Sequence, residues 1–191
     1  MLGPGEQEFR IISAVSPLHL HLASHHQFQE LSRLVNNAAL TADYVNPFTV
    51  EEGALVLAES GGVWHRARII NILPNNFFKV DLFDLAVEAE VELNEIGRAT
   101  EDLMKIPVLV KKCALSSIYG REEESLKLQE KLKSLMVGMD TVKGEVLEEK
   151  DGLTMVRIPS IEEKLREDAV PAVSKRQALL EKLKSKKSIP E

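Results

Sequence analysis

Aromatic residues supply only 5% of this 191-residue chain: six Phe, two Tyr and one Trp. Once a core has taken its share, few rings remain for a recognition surface built on stacking. The single Cys113 forbids an internal disulfide and is expected to behave as a small buried apolar residue. His25 and His26, adjacent at a helix start, lack the spacing of metal ligands even with Cys113 added, so no metal site is expected. No apolar run approaches the roughly 20 residues of a membrane helix. The N-terminus also lacks the charged-then-apolar layout of a signal peptide, so the expected setting is cytosolic or nuclear, without a membrane. Phosphate-cradling glycine loops, nucleophile motifs, internal repeats and low-complexity tracts are missing too. Those absences argue against an enzyme.

What is present describes a globular protein with 44% hydrophobic and 28% charged residues. Its length suits one ordinary domain or two small interleaved ones. The net charge of -6 is unevenly placed. Between Glu51 and Lys105 stand 11 acids and 5 bases, so this segment carries the whole excess while the remainder balances at 19 against 19. An acidic segment attracts basic partners and repels a phosphate backbone. The same charges also suit the solvated face of an antiparallel sheet.

Gly61 to Glu92 is the most legible stretch. Val63 to Ile72 alternates as a half-buried strand, with His65, Ala67 and Ile69 on one face and Trp64, Arg66 and Arg68 on the other. Leu73-Pro74-Asn75-Asn76 is a turn, because proline removes a donor and asparagine tolerates a left-handed backbone. Phe77 to Leu85 returns as a second strand, and a third is expected near Glu88 to Leu93.

Elsewhere, residues 1–8 read as a disordered lead. Phe9 to Leu22 alternates with period two, placing His19 and His21 opposite Leu18, Leu20 and Leu22. Gln27 to Ala42 carries Phe28, Leu31, Leu34, Val35 and Ala38 at helical spacing, with Ser24 able to cap it. Tyr44 to Thr49 is a connection, Ile96 to Ile106 a partly helical link, and Glu122 to Met136 a charged amphipathic helix. Thr141 to Glu148 and Leu153 to Ile158 are strands joined through Asp151-Gly152, and Ile161 to Arg166 is a short helix. Residues 171–191 form a basic helix or linker. Its lysines have no interleaved aromatics for stacking, so direct nucleic-acid binding is not expected.

Gly53 to Ala58, Trp64-His65-Arg66-Ala67-Arg68-Ile69 and Val80 to Ala89 resemble the strands of the extended Tudor domain of germline Tudor proteins. Ser16-Pro17 with its following alternation and Ile106-Pro107 through Cys113 to Leu115 resemble other parts of that module. The resemblance implies a mostly β, α+β fold: a Tudor β-barrel at 51–99, inserted in a staphylococcal-nuclease-like OB-fold subdomain at 9–50 and 100–170, the two joined by a long helix. It implies a non-enzymatic adaptor without cofactors. The partner it implies is the arginine-rich N-terminal peptide of a PIWI-type Argonaute in perinuclear germline granules (nuage), within piRNA silencing.

In that family a methylated arginine is held by aromatic rings whose faces attract a soft cation. The resemblance carries those positions onto Ala58, His65, Leu82, Leu85 and Val87, none a ring suited to the task except by the poor imidazole of His65. Trp64 and Phe83 occupy positions read as barrel core. An apolar wall remains beside Asp84, with Glu59 and Glu88 nearby. A carboxylate binds an unmodified guanidinium through two parallel hydrogen bonds, some of whose donors methylation would remove. The expectation is therefore an arginine-peptide site that does not require methylation, although Asp84 is equally suited to holding its own turn. The alternative is a self-associating scaffold with a dead pocket.

Overall fold

The computed structural model describes residues 5–41 and 50–167. The chain builds two sheets bridged by helices. Strands β1 (Gly5–Ser16) and β2 (His19–Ser24) lead into helix α1 (His25–Thr41). Strands β3 (Leu55–Ser60), β4 (Val63–Ile72), β5 (Phe77–Leu82), β6 (Val87–Glu92) and β7 (Ile96–Arg98) follow. Helix α2 (Glu101–Lys105), strand β8 (Lys111–Leu115), helix α3 (Glu122–Met136), strands β9 (Thr141–Lys150) and β10 (Leu153–Arg157) and helix α4 (Pro159–Glu167) complete the order.

One sheet closes on itself in the order β1-β2-β8-β10-β9, with β1 pairing back onto β9. All its ladders are antiparallel except β8 with β10. Phe9, Leu20, Leu22, Leu115, Val156 and Ile158 fill its interior, and Leu132 and Ile161 seal it from α3 and α4. The second sheet runs β6-β5-β4-β3-β7, which makes β6 and β7 its edges. Val56, Ile69, Val80, Leu82 and Val91 form its core. A third cluster, including Leu31 and Val35 of α1, Leu57 of β3 and Leu103 of α2, glues the halves together. The α+β fold with two β units and a connecting helix is as expected.

Several local readings change. Strand β1 begins at Gly5, pairing Gly5 through Glu8 with Val146 through Lys143, so those four residues belong to the barrel; the rest of the lead, 1–4, lies outside the described residues. Phe9 to Leu22 is a hairpin rather than one strand, because Pro17 has no N–H to continue the ladder. In α3 the buried stripe is Ser125, Leu132 and Met136, leaving Leu126 exposed. The connection at Tyr44 to Thr49 and the basic segment 171–191 lie outside the described residues.

The central hairpin forms as its turn chemistry requires. Asn75 and Asn76 take φ of 61° and 60°, and Leu73 N–H donates to Phe77 O at 2.8 Å. The second turn, between β5 and β6, closes through Leu85 N–H to Leu82 O at 2.8 Å, with Ala86 at φ 53°.

Candidate functional site

The site lies where α1, β1 and the β3–β4 hairpin meet. A cleft of about 580 Å³ opens there, walled by Arg10, Ile11 and Ile12 of β1 and by His25, Phe28, Gln29 and Ser32 of α1. The opposite wall is Ser60, Val63, His65 and Leu85. Period-two alternation of β4 turns His65 to this wall, and the tight β5–β6 turn presents Leu85 beside it.

The positions carried over from the family separate into three groups. His65 and Leu85 line the cleft, both half-buried. Ala58 and Leu82 are sealed in the core of the second sheet, 0% and 1% exposed, and reach no ligand. Val87 stands exposed at the start of edge strand β6. Burial holds the His65 imidazole below the ordinary histidine range, opposed in part by the nearby charge of Asp84. At neutral pH it offers the cleft an uncharged ring.

The acids expected to receive a guanidinium are placed differently. Asp84 is buried, and both of its oxygens accept from Arg66: Nε to Oδ2 and Nη2 to Oδ1, each at 2.7 Å. It is therefore neither an open acceptor nor simply a turn former. Glu88 ion-pairs with Lys79 at 2.5 Å on the exposed face, and Glu59 is half-buried on β3 opposite Trp64 in register. None of the three belongs to the cleft's lining.

Arg66 is the residue whose part in the fold the sequence leaves unassigned. Alternation puts it on the face with Trp64 and Arg68, and there it is 1% exposed. Its Nη1 donates to the carbonyls of Leu103 at 2.7 Å and Ile106 at 2.5 Å, and Nη2 also reaches Pro107 O at 3.3 Å. With the two bonds to Asp84, all five guanidinium N–H groups are used. Phe83 lies against the same group, its ring centroid 5.2 Å from Cζ. Trp64 packs onto the cluster shared with α1, where Asn36 Oδ1 accepts its backbone N–H at 3.3 Å. Both rings thus serve the joint between the halves, which corrects their reading as barrel core. The signal available in the sequence was an arginine and an aspartate in the two strand motifs, with no indication that the link after β7 would fold over them.

Helical spacing marks Phe28 only as a helix-face residue. It supplies the cleft's one phenyl ring. Beside it, His25 Nδ1 is buried without a hydrogen-bond partner, alone in this among the buried side-chain nitrogens and oxygens of the described residues. No three His, Cys, Asp or Glu side chains of the described residues gather as a metal site. Among those residues no helix is long and apolar enough to cross a membrane.

Comparison with known proteins agrees with this architecture. A family model described as Tudor domain matches residues 8–117. No curated protein matches the chain. Among solved structures, extended Tudor domain TD3 of mouse TDRD1, in complex with a MILI peptide containing dimethylarginine, superposes with a TM-score of 0.60 at 17% identity. That match covers 83% of this chain and 84% of the other. The complex of Tudor with symmetrically dimethylated Aubergine gives a TM-score of 0.60 at 21% identity, covering 84% and 99%. Extended-Tudor 10-11 of Drosophila melanogaster gives 0.63 at 22% identity, covering 85% of this chain and 47% of that one. With more than half of its length matched by the family model and its two-sheet architecture shared with these structures, this chain belongs to the Tudor domain family and has the extended Tudor fold.

Proposed function

We propose that this protein is a non-enzymatic adaptor that binds the arginine-rich N-terminal tail of a PIWI-type Argonaute in the cleft between its two halves, without requiring arginine methylation. In this reading Ser60, Val63, His65 and Leu85 of the 51–99 unit supply one wall, and strand β1 with helix α1 supplies the other. The partner class comes from fold relatives whose complexes hold dimethylarginine peptides of MILI and Aubergine. The setting would be the perinuclear germline granule, where PIWI-type proteins and Tudor adaptors of the piRNA pathway would meet.

One observation carries the methylation independence. His65 and Leu85 are the carried-over positions that line the cleft, and neither offers a ring face comparable to tyrosine. Methyl groups on a guanidinium gain affinity by contact with several rings that exclude water. An aliphatic wall accommodates the arginine stem but leaves those methyl groups without partners. Calorimetric titration of one arginine-rich peptide in unmodified and symmetrically dimethylated forms tests this: comparable affinities, or tighter binding of the unmodified form, are expected. A clear preference for the dimethylated peptide would overturn it.

A further inference from the structure

Arg10 is the only permanently charged side chain lining the cleft, and Phe28 its only phenyl ring, beside the imidazoles of His25 and His65. The two already meet: Arg10 Cζ stands 5.9 Å from the Phe28 centroid. Its ion pair among the described residues is loose, since Asp140 is 3.9 Å away and largely exposed. The contrast with Arg66 is one of commitment, because that arginine spends all five donors inside the fold while the Arg10 side chain is 37% exposed. On the same helix face, three residues before Phe28, His25 lines the same cleft, and its Nδ1 is buried without a hydrogen-bond partner. With the ring proton on Nε2 this nitrogen is an acceptor, which suits an incoming N–H donor.

We infer that the Phe28 face with His25 Nδ1 is a guanidinium subsite on α1, and that Arg10 is its resident occupant. A peptide arginine then binds by exchange: it takes the Phe28 face and donates to His25 Nδ1, while Arg10 withdraws onto Asp140. This inference rests on the proposed reading of the cleft as an arginine-peptide site. It adds the position of the arginine and makes Arg10 a specificity-determining residue. Exchange fits the cleft's charge, because no carboxylate lines it to offset two cations at once. The opposite wall holds no phenyl, phenol or indole ring, so dimethylation finds no second face comparable to Phe28.

The experiment is titration of an unmethylated arginine-glycine peptide, and of its lysine-glycine counterpart, into the wild type, Arg10→Gln, Arg10→Lys and Phe28→Ala. Near-ultraviolet circular dichroism from Trp64 confirms folding of each variant. Removing the competitor in Arg10→Gln is expected to tighten the arginine peptide roughly three- to tenfold, the scale of one cation–π contact. Arg10→Lys is expected to fall between, Phe28→Ala to weaken binding, and the lysine peptide to gain less. Equal or weaker binding by Arg10→Gln, with the wild type still binding, would overturn the exchange and leave the peptide reading intact. Failure of every folded variant to bind the arginine peptide would remove the peptide reading, and this inference with it. Unchanged binding by folded Phe28→Ala would place the arginine elsewhere in the cleft and overturn the subsite.

Discussion

Arg66 and Asp84 face each other fork to fork, with Nε–Oδ2 and Nη2–Oδ1 both at 2.7 Å and neither residue open to solvent. They lie 18 positions apart on β4 and in the β5–β6 turn. The remaining Arg66 donors reach the C-terminal end of α2 and the chain just beyond it. One side chain therefore ties the second sheet to the link that returns to the barrel. Carbonyls at a helix C-terminus carry partial negative charge, so they add to the carboxylate in stabilising the cation.

Breaking this pair should cost fold rather than function alone. Removing one partner of a buried ion pair leaves the other charge uncompensated, typically costing about 3–5 kcal/mol. Asp84→Asn and Arg66→Met are each expected to lose about that much in urea unfolding. A variant of Asp84→Asn with unchanged stability but lost peptide binding would show that the carboxylate serves a ligand after all.

Ala86 has φ of 53°, in the left-handed region where a side chain strains the backbone. Ala86→Gly should relieve about 1 kcal/mol of this strain, partly offset by the greater freedom of glycine in the unfolded chain. A rise in the thermal midpoint of a few degrees is expected; a fall would mean that the Ala86 methyl makes contacts worth more than the strain.

Rebuilding rings at the cleft should create selectivity. His65→Tyr with Leu85→Tyr places two aromatic faces on the wall opposite Phe28, and dimethylated peptide is expected to gain roughly tenfold over unmodified peptide. Ala58 and Leu82 are unsuitable targets, because a ring inserted into their packed core would cost about 1–3 kcal/mol in overpacking. If the double variant folds and its two peptide affinities stay equal, the family cage and this cleft do not coincide.

Titration should narrow the stable range from both sides. Burial lowers the His65 value, and burial with Lys112 and His19 lowers that of His21, so the folded state holds fewer protons than the unfolded chain just below the ordinary 6.5. Their contribution is present above 6.5 and is lost as pH falls through the lowered folded values. Cys113 works in the opposite sense: burial pushes its thiol from 9.0 up to about 12, so that contribution is present below 9.0 and is lost as pH rises toward about 12. Urea midpoints across pH, with His65→Gln and Cys113→Ala flattening the acid and alkaline limbs respectively, provide the check. The native thiol should also resist a thiol reagent at neutral pH until the protein unfolds; rapid native labelling would contradict the packing around it.

The sequence by itself determined the elements and their faces, because those obey short-range rules. Alternation located β4, β5 and β6, two asparagines located their turn, and apolar spacing located α3 at Glu122–Met136. The family could also be read there, since strand motifs are contiguous in the chain. Only the tertiary structure decided what each side chain faces once the halves meet. Alternation assigns Arg66 to a face without saying that Leu103, Ile106 and Pro107 will cover it. Nor does it say that Asp84 will be consumed in the process. Phe28 and Arg10 come from a helix and a strand 18 residues apart, and the cleft they share with His65 and Leu85 exists only because α1 packs between two sheets. Local pattern reports periodicity along one element; a binding cleft depends on distances between elements, which packing alone sets.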